Sequence, residues 1–393
     1  MVNDLAPGPF DTIVIGAGMV GAASALFLSE YGRRVALVDA ATAGKGTSNN
    51  TFAWINATSK TNNEAYHRLN ALGAAGYRAL VKRWGEARVG VHPSGMLQWG
   101  APDDAITLAA LDARYEQLVA FGYPVAKVGY HELQALEPHV SFPVDARGLH
   151  AIADAWLDVP VFIEFAKAQV QQAGGLVFED CQAQELQLAD DGTIEGIRTT
   201  GGLLSAPQVL VATGPGTPQV LEDLTGYEPF RTRFPMQQAP GLLVRTPPIT
   251  PWHFARRILY SGQAQAVHIR PTPDGGLLLG ADDTDGAAQH PNDSDGVRAA
   301  ATILLQRAQD LIPKFPGPSL LDQCELKIGV RPMPSDGHSI AGSLPGSDGL
   351  FVALTHSGVT LAPAIGRLLA QQMATGERPL ELDPFTFDRF QTP

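Results

Sequence analysis

The sequence predicts two architectures in one chain, an α/β part built on a parallel sheet and an α+β part built on an antiparallel sheet. Three observations lead there. Residues 12–39 hold an apolar strand, a glycine-rich turn, a helix and a second apolar strand, the succession that builds a parallel sheet. Residues 230–324 are rich in proline and in short strands broken by turns such as Pro273-Asp274-Gly275-Gly276, which reads as antiparallel sheet with an attached helix. The end of the chain then returns to the first texture, with an apolar strand at 349–354, a glycine loop and a helix. With 393 residues and 45% hydrophobic content, the chain can bury two cores.

The opening element is the most specific. Thr12-Ile13-Val14-Ile15 runs into Gly16-Ala17-Gly18-Met19-Val20-Gly21, and the second strand, Val35-Ala36-Leu37-Val38, ends on Asp39. Gly16 allows the tight turn, Gly18 lets backbone approach a pyrophosphate, and Gly21 lets the helix pack closely on the strand. The free amides of the helix N-terminus, at Met19 and Val20, favour an anion. Asp39 and Ala40 end the strand where a ribose would sit. This is the dinucleotide-binding turn of a Rossmann-like fold. The polar loop that follows adds Lys45, Thr47, Ser48 and Asn49 as cofactor contacts, because short polar side chains bond a ligand without filling its space.

Apolar spacing predicts helices over 64–84 and about 104–121. The proline-rich piece 137–143 reads as a crossing between domains. A helix over 159–173, a strand at 176–178 and a meander at 194–199 and 202–205 follow, with Ala183 a further cofactor candidate. The buried strand 208–211 ends at Thr213 and Gly214, again a place for ligand at the carboxyl end of a sheet. A helix near 297–311, the Gly329-Val330-Arg331-Pro332 block and a closing helix from about 361 to 374 complete the chain. The division that results gives residues 1–85, 145–228 and 325–393 to the cofactor domain, and 86–144 and 229–324 to a substrate domain.

Composition narrows the functional classes. With 28 Lys and Arg against 40 Asp and Glu, the net charge is −12, which disfavours nucleic acid as a partner. Cys181 and Cys324 are far apart and lack metal-ligand spacing, so neither a disulfide framework nor a metal site is expected. Residues 1–10 lack the basic and apolar regions of a signal peptide, and no segment reads as membrane-spanning. A cytoplasmic protein is the expectation.

Four blocks in order, the glycine turn, Val211-Ala212-Thr213-Gly214, Gly329-Val330-Arg331-Pro332 and the closing strand-Gly358-helix, resemble the D-amino-acid oxidase family of flavoproteins across nearly the whole chain. The resemblance implies FAD, a glutathione-reductase-type FAD domain and a discontinuous antiparallel-sheet substrate domain. It also implies that Gly358, Val359, Thr360 and Leu361 present a helix N-terminus to the pyrimidine edge of the flavin. Arg331 is then the substrate-carboxylate residue, since a guanidinium fork matches a carboxylate bidentately. Its alternative is an ion pair with a core acid such as Glu325 or Asp336. His356, His268 and Tyr260 are further catalytic-site candidates.

The implied reaction passes a hydride from the amine-bearing carbon of a small carboxylate-bearing amine to flavin N5, and the imine hydrolyses to an oxo acid. Oxygen or another electron acceptor would complete the cycle. Alternatives are 2-hydroxy-acid oxidation and a role as flavoprotein subunit of a larger dehydrogenase. Departures from the family pattern matter. Met333 stands where sarcosine oxidases place a flavin-linking cysteine, so FAD should be noncovalent. Leu277-Leu278-Leu279 matches the strand on which those relatives carry an oxygen-activating lysine, which leaves a dehydrogenase open.

Overall fold

The computed structural model describes residues 8–226, 234–249, 254–261 and 266–390. The sequence expectations for residues 1–7 and for residues 230–233, 250–253 and 262–265 of the 230–324 region fall outside it.

Six strands form one sheet in the order Ile340–Ser343, Leu350–Leu354, Val209–Val211, Thr12–Ile15, Val35–Val38, Leu176–Phe178. Every neighbouring pair is parallel except the antiparallel edge pair Ile340–Ser343 and Leu350–Leu354. Strands Thr12–Ile15, Val35–Val38 and Val209–Val211 are buried throughout. Burial on both faces explains why they read as unbroken apolar runs rather than alternating ones. Helices Met19–Glu30 and Gly358–Thr375 pack together, and the long helix Glu64–Trp84 lies against the latter. The meander Ala183–Leu188, Ile194–Thr199, Gly202–Ser205 forms its own antiparallel sheet, as expected.

The second large sheet has eight strands, in the order Glu325–Pro334, Met236–Arg245, Leu277–Gly280, His268–Pro271, Ile258–Ser261, Met96–Gly100, Arg147–Ala151, Val125–Gly129. Its core joins Leu97, Trp99, Val244, Leu259, Ile269 and Leu279 to Ala301, Leu304 and Leu305 of helix Ser294–Leu311. One pairing is parallel, Ile258–Ser261 with Met96–Gly100, so the sheet is mixed where an antiparallel one is expected.

Sheet membership departs from the sequence division at three places, the first being Val91–His92, expected in the substrate domain but paired with Ala155–Leu157. Arg147–Ala151, expected in the cofactor domain from residue 145, pairs on both sides within the eight-stranded sheet. Glu325–Pro334, expected in the cofactor domain from residue 325, pairs over ten residues with Met236–Arg245. The departure at Arg147–Ala151 comes from the proline-rich piece 137–143. It joins helix Tyr130–Leu136 to strand Arg147–Ala151, both on the eight-stranded side, so it is not a crossing. Its prolines keep it irregular, while the buried Glu137 carboxylate accepts from the Arg256 backbone amide at 3.1 and 3.2 Å.

The closing helix begins at Gly358, three residues earlier than the apolar spacing suggests. Pro363 lies inside it and has no N–H for the carbonyl of Val359 four residues before. The buried Tyr77 hydroxyl of helix Glu64–Trp84 donates to that carbonyl at 2.7 Å, so the acceptor is not orphaned.

Candidate functional site

A cavity of about 830 Å³ runs from the glycine turn to the eight-stranded sheet. Its near end is built by the carboxyl ends of the parallel strands. Gly16 has φ +99, and a Cβ there would lie 2.5 Å from the Ala212 carbonyl oxygen, so only glycine makes this turn. Gly21 packs against the Gly16 carbonyl oxygen with no room for a side chain. The Ser48 hydroxyl accepts from the Met19 amide at 3.0 Å, a polar oxygen at the helix N-terminus. Asp39 accepts from the amides of Ala17 at 2.7 Å and Ala41 at 2.9 Å. The acid therefore holds the glycine turn in shape while lining the cavity.

The far end gathers side chains from separate elements. Arg331 comes from the edge strand Glu325–Pro334, Tyr260 and His268 from neighbouring strands of the same sheet, and Asp282 and Asp285 from the turn after Leu277–Gly280. Phe52, Trp54, Asn56 and Lys60 come from the segment before helix Glu64–Trp84, and His356 precedes helix Gly358–Thr375. Arg331 donates to the Asp285 carboxylate at 2.7 Å and to the Ala239 carbonyl at 3.2 Å. The expected alternatives are otherwise occupied. Glu325 faces Lys327 at 3.4 Å, and Asp336 is bound by Arg389 at 2.7 Å.

Burial sets the charge states. Desolvation pushes the His356 imidazole down to about 3, and the cations Lys60 and Arg331 push the same way, so it is neutral at ordinary pH. His268 is lowered by burial as well, and stacks on Tyr260 with ring centroids 4.3 Å apart. Burial raises the Tyr260 hydroxyl and the Asp285 carboxyl, although Arg331 opposes the shift at Asp285. Lys60 is lowered by burial and then by Arg331.

The segment that carries these residues is held from behind. Ala53 is buried and sits at φ +57, an uncommon conformation for a residue with a side chain. The buried Arg270 side chain donates to the preceding Phe52 carbonyl at 2.5 Å and lies over the Trp156 ring at 4.8 Å. Asp154, fully buried, accepts from Trp54 Nε1 at 2.9 Å, Thr58 Oγ1 at 2.7 Å and Tyr123 Oη at 2.7 Å. The Thr360 hydroxyl ties the Trp54 carbonyl to the closing helix at 2.9 Å.

Of the residues singled out from sequence, the cavity wall includes Gly16, Gly18, Met19, Val20, Asp39, Ala40, Thr47, Ser48, Ala183, Thr213, Gly214, Arg331, His268, Tyr260, His356, Gly358, Val359 and Thr360. Gly21 lies behind the turn, Leu361 is fully buried in the core, and Lys45 and Asn49 are off the wall. Sequence reasoning missed Lys60, Trp54, Asp282 and Asp285 as parts of the site. Their only signal was proximity to the polar loop at 43–50 and to the Leu277-Leu278-Leu279 strand.

These features define a dinucleotide-dependent enzyme site between two sheets. A model of the family described as FAD-dependent oxidoreductase matches residues 11–372, and the chain belongs to that family. FAD is therefore the cofactor, and the cavity wall that could receive it includes the glycine turn, Asp39 and the N-terminus of the closing helix. The chain is similar to a glycine oxidase of Geobacillus kaustophilus, 27% identical over 97% of each chain. Its fold matches the crystal structure of L-proline dehydrogenase from P. horikoshii, with a TM-score of 0.79 at 18% identity over 98% of this chain and 100% of that one. It also matches iminodiacetate oxidase from Chelativorans sp. BNC1, with a TM-score of 0.74 at 21% identity over 95% and 98%. Among the described residues no helix is long and apolar enough to cross a membrane, and no cluster of His, Cys, Asp and Glu could hold a metal.

Proposed function

We propose that the protein oxidises the C–N bond of a small amino acid or secondary amine that carries a carboxylate, giving an imine that hydrolyses to an oxo acid. The observation that carries this reading is a cationic group, Arg331, on the same continuous cavity as the dinucleotide turn. FAD supplies the hydride acceptor when bound. The residues of this chain bind the carboxylate, orient the amine-bearing carbon and exclude water. The apolar side chains Phe52 and Trp54 and the neutral imidazoles His268 and His356 make a poorly solvating wall, which favours the uncharged amine needed for hydride loss. No cysteine-linked FAD is expected, since Cys181 and Cys324 both lie off the cavity wall. The relatives' names, glycine oxidase and iminodiacetate oxidase, agree with a carboxylate-bearing amine.

The test is anaerobic bleaching of the holoenzyme by a panel of amino acids and secondary amines set against matched 2-hydroxy acids and amines without a carboxylate. Bleaching by carboxylate-bearing amines alone is expected. Bleaching by hydroxy acids in their place would overturn the reading. Oxygen uptake against reduction of an artificial quinone then separates an oxidase from a dehydrogenase.

A further inference from the structure

The cavity wall carries four charged groups at its substrate end, Lys60, Arg331, Asp282 and Asp285. Two of them satisfy each other, because Arg331 is bonded to Asp285 at 2.7 Å, and Asp285 also accepts from the Leu242 amide at 3.0 Å. The other two have no such bond, Lys60 being partly buried and Asp282 exposed at the cavity edge. Among the described residues neither the Lys60 ammonium nor the Asp282 carboxylate has a hydrogen bond or an ion pair, yet both face the cavity. A partly buried ammonium with no anion in direct contact is costly, and the cost is recovered if a ligand brings one.

The Lys60 backbone is fixed, which makes this a prepared position rather than a wandering surface lysine. Its amide donates to the Ala57 carbonyl at 3.0 Å. Thr58 is anchored to buried Asp154, and the Ser59 hydroxyl donates to Asn56 Oδ1 at 2.8 Å. The charges that Lys60 feels are Arg331, on the eight-stranded sheet, and Asp282, on the short helix after strand Leu277–Gly280, so it addresses that wall and not the phosphate end.

On the reading that the site oxidises a carboxylate-bearing amine, we propose that Lys60 is the anchor for the substrate carboxylate and that Asp282 restricts the site to substrates with a single carboxylate. Arg331 is the second donor, shared with Asp285. With that pair neutral, the remaining poles are one cation and one anion, the charge pattern complementary to an amino-acid zwitterion. A second carboxylate, as in an iminodiacetate-type amine, would meet Asp282.

The test titrates the FAD holoenzyme with acetate and with malonate at constant ionic strength and reads the perturbation of the visible flavin spectrum. Acetate is expected to bind more tightly than malonate. Lys60→Met should weaken acetate about 10- to 100-fold, the range of a hydrogen bond to a charged group, while Lys60→Arg stays within a few-fold. Asp282→Asn should tighten malonate about 10-fold and change acetate by much less. If Lys60→Met does not retain FAD, Lys60→Gln carries the same comparison against Lys60→Arg. Acetate affinity within twofold of wild type in the neutral variants overturns the proposal, as does an altered flavin spectrum with unchanged acetate affinity, which would assign Lys60 to the cofactor. The absence of any acetate response in the wild type also overturns it. Failure of the oxidation reading itself would appear separately, as flavin that no carboxylate-bearing amine bleaches.

Discussion

Replacing Asp154 by Asn separates the electrostatic cost of that buried acid from the hydrogen bonds it accepts. Burial pushes the Asp154 carboxyl up to about 7 from 3.8, against the lowering effect of its bonds from Tyr123, Thr58 and Trp54. The folded protein therefore holds a proton that the unfolded chain releases above pH 3.8. Stability from this group is fully present below that value and is lost as pH rises through about 7. Between pH 5 and pH 8 the loss amounts to roughly 3 kcal/mol, from 1.36 kcal/mol per pH unit. Asn stays neutral throughout and escapes this dependence. It accepts through one oxygen only, so its amide nitrogen faces the indole N–H of Trp54 and leaves a buried donor unpaired, at a cost of about 1–3 kcal/mol. Asp154→Asn should thus be less stable than wild type at pH 5 and close to it, or above it, at pH 8. Urea unfolding of FAD-saturated protein, followed by far-UV circular dichroism across that range, reads the difference. Glu137, also raised to about 7 by burial, keeps a residual slope in both proteins. Parallel stability curves for the two would refute the reasoning.

Gly16→Ala should abolish FAD retention, read as the ratio of visible to protein absorbance, because a Cβ meets the Ala212 carbonyl at 2.5 Å and φ is +99. Arg270→Met strands the Phe52 and Pro271 carbonyls, to which Arg270 donates at 2.5 and 2.9 Å; a loss of about 2 kcal/mol or more is expected in urea unfolding, with a raised KM because Phe52 is released. With His356 neutral above about pH 3, His356→Gln should leave the pH dependence of kcat/KM between 5 and 9 unchanged in shape. A limb that vanishes in the variant would show that this histidine titrates in turnover. Ser48→Ala removes the acceptor for the Met19 amide and should weaken FAD binding by about 1 kcal/mol, measured by FAD release on dilution.

The cofactor end was legible because its constraints are local. Gly16, Gly18 and Gly21 have to be small at fixed spacing, and Asp39 has to end the adjacent strand, so a short window of sequence carries the signal. At the other end of the cavity the sequence singled out Arg331, by its family block, together with Tyr260, His268 and His356, all of which line the wall. Lys60 and Asp282 lie 222 positions apart in numbering and meet through the packing of the eight-stranded sheet on the loop before helix Glu64–Trp84. No periodicity links them. Asp285 as the partner of Arg331 was missed for the same reason, since Glu325 and Asp336 are nearer in sequence but are bound elsewhere. The boundary at 145 failed because prolines mark irregular backbone without saying which sheet lies beyond it. Strand Glu325–Pro334 was assigned by its neighbours in sequence, whereas its ten-residue pairing with Met236–Arg245 decides its place.

That strand also touches the polar loop at 43–50. The Thr47 hydroxyl donates to the Val330 carbonyl at 2.7 Å, and the Lys327 ammonium donates to the Asn49 carbonyl at 3.2 Å, both just before the position that carries Arg331. The eight-stranded sheet is consequently not an exchangeable cassette. A chimera that imports it from a relative, to graft a new specificity, would import the backing of the donor's cofactor loop as well, and its crossover points would have to exchange residues 46–50 together with 325–334.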